Sequence, residues 1–354
     1  MAEDNPDMRP LVSVIIPAYN AADTILATLA SVQAQTYAPI EILVVDDGST
    51  DTTRLIVERM AAREPRLRVI CQQNAGVARA RNRGLAEARG DWIATLDADD
   101  IWHPEKLERQ MAVAVTSPLA PALVYSWCRS IDAEDRVIAD QGQPMHRGKA
   151  FEHLLAINFI NNGSNALVRT DAARAVGGFE EAFQAFRAFG AEDFAFYLAI
   201  AERWPVAPAP GFLVGYRITG NSMSANPERM RMSIELVLFR VEQQRPDISP
   251  SLMALSRTFF DTYAALLALR SRLYGPFAAY LIKAMIRRPG ITFLFCICYI
   301  FWRHSGKRAV RKGRRPFFSL PITEPSHQPP FREAFERYRT SRVASAIGSG
   351  DRKR

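Results

Sequence analysis

A chain of 354 residues with 48% hydrophobic and 23% charged residues has room for about two domains and a sizeable core, which excludes a disordered or fibrous protein. Its net charge of +8 hides a division: residues 251–354 carry 20 Lys+Arg against 5 Asp+Glu, a net of +15, while residues 1–250 carry 25 against 32, a net of −7. An acidic body joined to a basic C-terminal region suggests an anionic partner for that region, either a membrane surface or a nucleic acid.

After a polar arm (1–10) that does not resemble a signal peptide, the chain alternates two textures. LVSVIIP (11–17) predicts a strand, and AADTILATLASVQAQT (21–36) a helix behind a cap at Asn20. EILVVDDGSTD (41–51) repeats the strand pattern and ends in an acidic turn, which TTRLIVERMAAR follows as a second helix. RLRVICQQN (66–74), VARARNRGLAEAR (77–89) and DWIATLDADD then read as strand, helix and strand. Strand–helix–strand units of this length predict a parallel sheet with helices on its faces. No G-x-G-x-x-G follows the first strand, which disfavours a dinucleotide fold. The cysteines Cys71, Cys128, Cys296 and Cys298 lack zinc-ligand spacing and read as reduced thiols, the first two as core residues, in a cytoplasmic body.

In open parallel sheets, ligands bind beyond the carboxyl ends of the strands. That rule places PAYN (17–20), DDGSTD (46–51), QNAG (73–76) and DADD (97–100) along one edge. Taken alone, the three carboxylates of DADD fit an Asp-rich turn as well as a pair of oxygen ligands for Mg²⁺ or Mn²⁺. Further on, HPEKLERQMAVAV predicts a helix and ALVYSWC (122–128) a strand. The run 161–183 is mixed, with Gly177 and Gly178 marking a turn, and residues 192–203 form a helix headed by Glu192 and Asp193. PAPGFLVGYRITGNSMSAN (208–226) reads as a last strand and loop. From about residue 228 the chain is helical and basic. The uncharged run ITFLFCICYIFW (291–302) is too short for a spanning helix, and its basic flanks fit an interfacial membrane element or, alternatively, a buried helix.

The strings VSVIIPAYN, VVDDGSTD, NAGVARARNRGL, LDADD, VGGF and GAEDF, in this order, resemble family 2 glycosyltransferases of the GT-A fold over roughly residues 11–225. The resemblance implies an α/β fold, a GT-A-type mostly parallel sheet flanked by helices, followed here by a basic helical C-terminal region. It divides 11–225 into a nucleotide-binding half (11–105) and an acceptor half (106–225); beyond the resemblance, composition reads 226–315 as a helical, membrane-associated region and 316–354 as a basic, mobile tail. Its activity would be inverting transfer of a sugar from a nucleoside diphosphate donor to a hydroxyl acceptor, in cell-surface polysaccharide or glycolipid synthesis.

By the same resemblance, Pro17, Tyr19 and Asn20 shape the nucleotide pocket, Asp47 with Asp46 beside it accepts a hydrogen bond from the base, and Gly76 and Arg81 lie near the nucleotide. Asp97 and Asp99 form the family's DxD motif, with Asp99 a direct ligand of Mg²⁺ or Mn²⁺ and Asp97 near ribose or metal. Asp193 is the base, with Glu192 beside it. Thr219 stands where many relatives have histidine. The partners implied are a nucleotide-sugar donor, a saccharide or lipid-linked acceptor and an anionic membrane surface met through 287–315 on the inner face of the cell membrane; no nucleic-acid-binding motif is evident. Two rival readings are an inactive nucleotide-sugar-binding module with a basic tail, and a sugar nucleotidyltransferase, although the latter's glycine-rich basic loop is missing from PAYNAADT.

Overall fold

The computed structural model describes residues 9–183, 190–218, 226–294, 296–297 and 315–324. Four parallel strands come first: β1 (Val12–Ala18), β2 (Ile40–Asp46), β3 (Leu67–Cys71) and β4 (Trp92–Thr95), in the order 3-2-1-4. They are linked by α1 (Ile25–Gln33), α2 (Thr53–Ala61) and α3 (Val77–Glu87). β1 and β2 are buried along their whole length because both faces are covered, which is why their sequences read as continuous β-branched runs rather than as an alternation. The period of two still sorts their side chains. Ile15, Leu43 and Val45 enter one core layer, while Val14, Ile16, Ile42 and Val44 enter the other, packed by α1 and α2.

Beyond β4 the sheet becomes mixed. β5 (Ile101–Trp102), α4 (Lys106–Thr116), β6 (Leu123–Ile131), β7 (Val137–Asp140), α5 (Phe151–Ala156), β8 (Leu167–Arg169), α6 (Thr170–Ala175), α7 (Glu192–Arg203) and β9 (Val206–Arg217) follow in chain order. The full order is β3-β2-β1-β4-β8-β6-β9-β5, with β7 on β6; β8 is antiparallel to β4 and β6, whereas β9 runs parallel to β6. The mostly parallel sheet expected from the sequence is thus parallel in its first half and mixed in its second.

Three long helices complete the fold: α8 (Pro227–Gln244), α9 (Pro250–Arg270) and α10 (Tyr274–Arg287). The starts of α8 and α9 are written in the sequence. Asn226 accepts from the Glu228 and Arg229 amides and Ser249 from Leu252, and each cap is followed by proline at the first helical position. Instead of forming a separate region, α8 and α9 contribute Ile234, Val237, Leu252 and Phe260 to the same core as α7. α9 is long and apolar enough to cross a membrane by length and composition, but its apolar window is 67% buried in the protein, as in a core helix.

Four expectations change. Asn20 does not cap the first helix, which begins at Ile25 behind Thr24; its side chain accepts instead from the Thr50 amide. Cys71 is exposed at the end of β3 rather than in the core. Residues 315–324, placed by composition in a mobile tail, are docked: Phe317 is buried, its amide donates to the Asp135 carbonyl, and the Phe212 amide donates to Ile322. The fully buried Arg129, paired with Asp140, donates to the Pro321 and Glu324 carbonyls, so a charged strand residue holds this strap by its backbone. Arg287 and Arg288, read as membrane flanks, turn inward to Asp261 and Ser251. Half of 291–302 (295 and 298–302), the tail beyond 324, and Thr219 lie outside the described residues.

Gly90 sits where the turn into β4 passes β1; a Cβ there would lie 2.6 Å from the Leu11 carbonyl oxygen and 2.7 Å from the Ser13 amide. Backbone cannot give way as a flexible side chain can, so Gly90→Ala is expected to destabilise the protein by about 1–3 kcal/mol, read as a lowered urea midpoint with an unchanged slope.

Candidate active site

The loops that follow β1, β2, β3 and β4 meet at one edge of the sheet, as parallel strands require. Pro17 is buried at the end of β1, Tyr19 is half exposed at the rim, and Asn20 takes a left-handed conformation (φ 48°) that turns its amide onto the second loop. Asp46 accepts from the Ser49 amide. Asp47 is buried, and its two carboxylate oxygens accept from the Ala75 amide (2.9 Å), the Gly76 amide (2.8 Å) and the Gln72 side chain (2.7 Å). A carboxylate thus sits against the start of α3, where unpaired amides and the helix dipole favour negative charge. Gly76 itself has φ 87°, open to glycine but strained for other residues. The second and third loops also touch through Gly48, whose Cβ would fall 2.9 Å from the Asn74 amide.

The DADD loop is more deeply set. Asp97 receives the buried guanidinium of Arg81 at 2.5 Å, and Arg81 lies over the ring of Phe179. Gly163 makes this reach available, since a Cβ there would come within 2.4 Å of Arg81 Nη2. Burial alone would lower the Arg81 pKa, but the charges of Asp97, Asp193 and Glu192 outweigh it and raise it. Arg81 Nε is buried without a hydrogen-bond partner.

Asp99 is pushed upward by burial and by the charge of Asp97, against the pull of Arg217 and Arg81. A hydrogen bond from its own backbone amide also pulls it down. Asp100 is pushed up further by burial, then by Asp99 and Asp97; it accepts from the Ser164 hydroxyl and the Arg217 amide. Adjacent buried carboxylates that resist ionising together are the environment that a cation relieves. No group of three or more His, Cys, Asp or Glu that could hold a metal occurs among the described residues. Asp97 and Asp99 offer two carboxylate ligands at most, so a hard divalent ion held there would take its other oxygens from phosphate and water, the manner in which Mg²⁺ is usually held.

Asp193 and Glu192 open α7. The Glu192 carboxylate accepts from the Gly190 amide and braces the turn, whereas Asp193 accepts from the Phe194 amide. Burial pushes Asp193 up to about 7, with Arg81 pulling down and Glu192 pushing up. Arg81 is thus the residue through which the two acidic clusters sense each other. Arg83, by contrast, is an exposed helix-face charge paired with Glu87.

Residues that sequence reasoning did not single out hold the carboxylates in place. The Thr95 hydroxyl donates to the Gly163 carbonyl, the Asp97 amide to Ser164 Oγ, and the Tyr197 hydroxyl to the Asn162 carbonyl. Arg217, at the end of β9, donates from Nε to the Asp99 carbonyl (2.7 Å) and from Nη1 to Asp132 and Ala133, and pairs with Asp135. Since the Asp135 carbonyl also anchors the strap at Phe317, strap, Arg217 and DADD loop form one connected support. Two signals were present in the sequence: a run of small polar residues, NNGSN, too long for a simple turn, and an arginine at the end of an apolar strand.

A parallel α/β half carrying a carboxylate loop after its fourth strand, joined to a mixed half that supplies a second acidic pair, is a GT-A-type architecture. A mannosyltransferase from Pyrobaculum calidifontis, solved with GDP-Man and Mn²⁺, superposes with a TM-score of 0.53 at 18% identity over 98% of this chain and 88% of its own, a likeness of fold. The family model "Glycosyl transferase family 2" matches residues 13–177, and this segment is a family 2 glycosyl transferase domain. Among curated relatives, the Escherichia coli UDP-Glc:alpha-D-GlcNAc-diphosphoundecaprenol beta-1,3-glucosyltransferase WfgD is 44% identical over 111 residues, 31% of this chain and 43% of its own. The succinoglycan biosynthesis protein ExoO of Rhizobium meliloti is 43% identical over 106 residues, 30% of each chain. The matched part therefore spans less than half the length of these relatives.

Replacing Arg217 by lysine keeps the charge but removes the planar fork that serves three carbonyls and a carboxylate at once. Leaving buried acceptors unpaired is expected to cost about 2–4 kcal/mol, read as a fall in thermal midpoint with retained far-UV circular dichroism.

Proposed function

We propose that this chain transfers a glycosyl group from a nucleoside diphosphate sugar to a hydroxyl acceptor, with inversion at the anomeric carbon, in the synthesis of a cell-surface polysaccharide or glycolipid. The observation that carries this reading is Asp193: a half-buried carboxylate, pushed up to about 7, placed by α7 in the field of the Arg81–Asp97 pair. A general base works best when its pKa lies near the operating pH. The acceptor oxygen attacks the anomeric carbon as its proton passes to Asp193, and the bond from that carbon to the diphosphate oxygen breaks. The nucleoside diphosphate leaves with the electron pair.

Asp47, Gly76 and the rim residues Tyr19 and Asn20 form the nucleotide side, and Arg81 orients Asp97 by direct contact. A divalent ion held by Asp97 and Asp99, when bound, supplies Lewis-acid stabilisation of charge developing on the leaving diphosphate. The chain's own part is to hold Asp97 against Arg81 and to present Asp99 ionised, which the buried guanidinia of Arg217 and Arg81 favour. Support for the donor class comes from the fold, which the P. calidifontis mannosyltransferase solved with GDP-Man shares, and support for a polysaccharide or lipid-linked product from the similarity to WfgD, a diphosphoundecaprenol-directed glucosyltransferase, and to the succinoglycan biosynthesis protein ExoO.

Donor turnover measured across UDP-, GDP- and dTDP-sugars tests the reading directly. Asp193→Asn is expected to lower transfer by about 10²–10⁴-fold while leaving donor affinity unchanged. Equal loss of affinity and turnover, or no loss, would count against Asp193 as base. Because its pKa is raised, Asp193 is protonated and unable to accept a proton below about pH 7. In the wild type kcat/KM should therefore fall about tenfold per unit below that pH and level off above it.

Divalent chelation is expected to abolish wild-type transfer, with recovery on adding Mn²⁺ or Mg²⁺. Asp99→Ala should bind Mn²⁺ weakly by titration calorimetry in the presence of nucleoside diphosphate. An Asp99→Ala protein that binds Mn²⁺ as tightly as the wild type would remove Asp99 from the ligand set.

A further inference from the structure

α10 has two apolar faces, and the protein uses only one. Phe277, Tyr280, Leu281 and Ala284, at helical spacing, turn toward α9, and Arg231 of α8 lies over the Tyr280 ring. The opposite face carries Tyr274, Ala278, Ile282, Met285 and Ile286, again at spacings of three and four. Ile286 is 80% exposed, Tyr274 66% and Ile282 57%, and Phe293 just beyond is 63% exposed. Isolated exposed apolar residues need no explanation, but a contiguous stripe along a whole helix marks an interaction surface.

The chemistry around the stripe identifies the partner. From residue 262 to residue 323 the sequence has twelve Lys or Arg and no Asp or Glu. Arg270, Arg272 and Lys283 are exposed beside the apolar face. A protein partner matching so long a stretch without acids would need its own dense acidic surface. A bilayer with anionic headgroups supplies both an apolar interior for the stripe and negative charge for its margins.

The same helix is tied mechanically to the active site. Asp261 of α9 is buried and holds Arg231 of α8 at 2.9 Å and Arg287 of α10 at 2.5 Å. Phe260, next to it, packs on Phe194 at 5.1 Å between ring centroids, and Phe194 adjoins Asp193. Burial raises the pKa of Tyr263 on α9, Arg270 pulls it down and the charge of Asp193 adds to the rise, so this ring lies within electrostatic reach of Asp193.

We propose that the outer face of α10, from Leu273 to Ile286, lies on an anionic bilayer surface and sets the acceptor side of the cleft, at Asp193, against that surface. Resting on the function proposed above, this assigns a lipid-linked hydroxyl as the acceptor class. It also moves the contact from the basic flanks to the helix between Tyr274 and Arg287, because Arg287 and Arg288 are engaged within the protein.

The test is co-sedimentation of the full chain with vesicles of phosphatidylcholine alone or mixed with phosphatidylglycerol, at low and high salt. The wild type is expected to bind the anionic vesicles, with binding weakened by salt. Ile282→Glu/Ile286→Glu is expected to lose roughly tenfold or more of that binding, since two charges would enter the acyl boundary. Hydrogen exchange on the wild type gives a reading independent of any variant's folding: amides of residues 274–287 should gain protection when anionic vesicles are added. Equal vesicle binding by wild type and variant, absence of wild-type binding, or unchanged exchange would overturn the proposal. A dimer seen by light scattering without lipid and abolished by the double substitution would overturn it in favour of a second copy as occupant. Metal-dependent donor hydrolysis is measured on both proteins. Its absence from both would sink the proposed transferase activity while the vesicle and exchange results still decide the docking face.

Discussion

Five carboxylates, Asp97, Asp99, Asp100, Glu192 and Asp193, crowd the edge of the sheet with little water around them, and the architecture depends on the arginines that make this tolerable. Arg81 neutralises Asp97 and lowers the cost of ionising Asp193 from across the cleft. Arg217 supports both the backbone and a carboxylate of the same loop, its guanidinium donating to the Asp99 carbonyl and its amide to the Asp100 carboxylate. Neither arginine could be swapped for an apolar residue without leaving buried charge unpaired, the most damaging of the common substitutions. The residual imbalance keeps Asp99 and Asp193 above the usual carboxylate range, one suited to a cation and the other to a proton.

Around that constraint the two halves of the sheet divide the labour. The parallel half aligns four strand ends by its topology, so the nucleotide-side loops need little beyond tight turns and close backbone approach at Gly48 and Gly76. The mixed half brings residues from distant parts of the chain: the NNGSN run behind the carboxylate loop, the start of α7 in front of it, and the end of β9 beneath it. The strap at 315–324 then closes the far edge through Arg129 and Asp135, which joins the C-terminal region to the support of the site.

The helical layer follows a similar logic. α9 is apolar enough for a membrane but is consumed by the core, whereas the shorter α10 retains an open apolar face. Length and composition together single out α9, whereas the open apolar face belongs to α10, because they record how long and apolar a segment is and not which of its faces the rest of the fold has already covered.

The sequence by itself determined the parts governed by local physics. Continuous β-branched runs and helical spacing located β1 to β4 and α1 to α3 to within a few residues, and the helical texture from about residue 228 located the start of α8. The acidic motifs at DADD and at Glu192–Asp193 were legible as well, since several carboxylates in so short a run stand out whatever surrounds them. Tertiary structure alone decided which acceptor each arginine reaches: the Asp97 carboxylate for Arg81, and the backbone carbonyls of Asp99 and Glu324 for Arg217 and Arg129. Arg81 and Asp97 are 16 residues apart, Arg217 and Asp99 118, and Arg129 and Glu324 195. It also decided that Asn20 clamps a loop instead of capping a helix, and that the strap docks although its composition reads as mobile. Composition and periodicity report what a segment would do against a generic core. Long-range pairing depends on where the chain returns in space, and no local window contains that information.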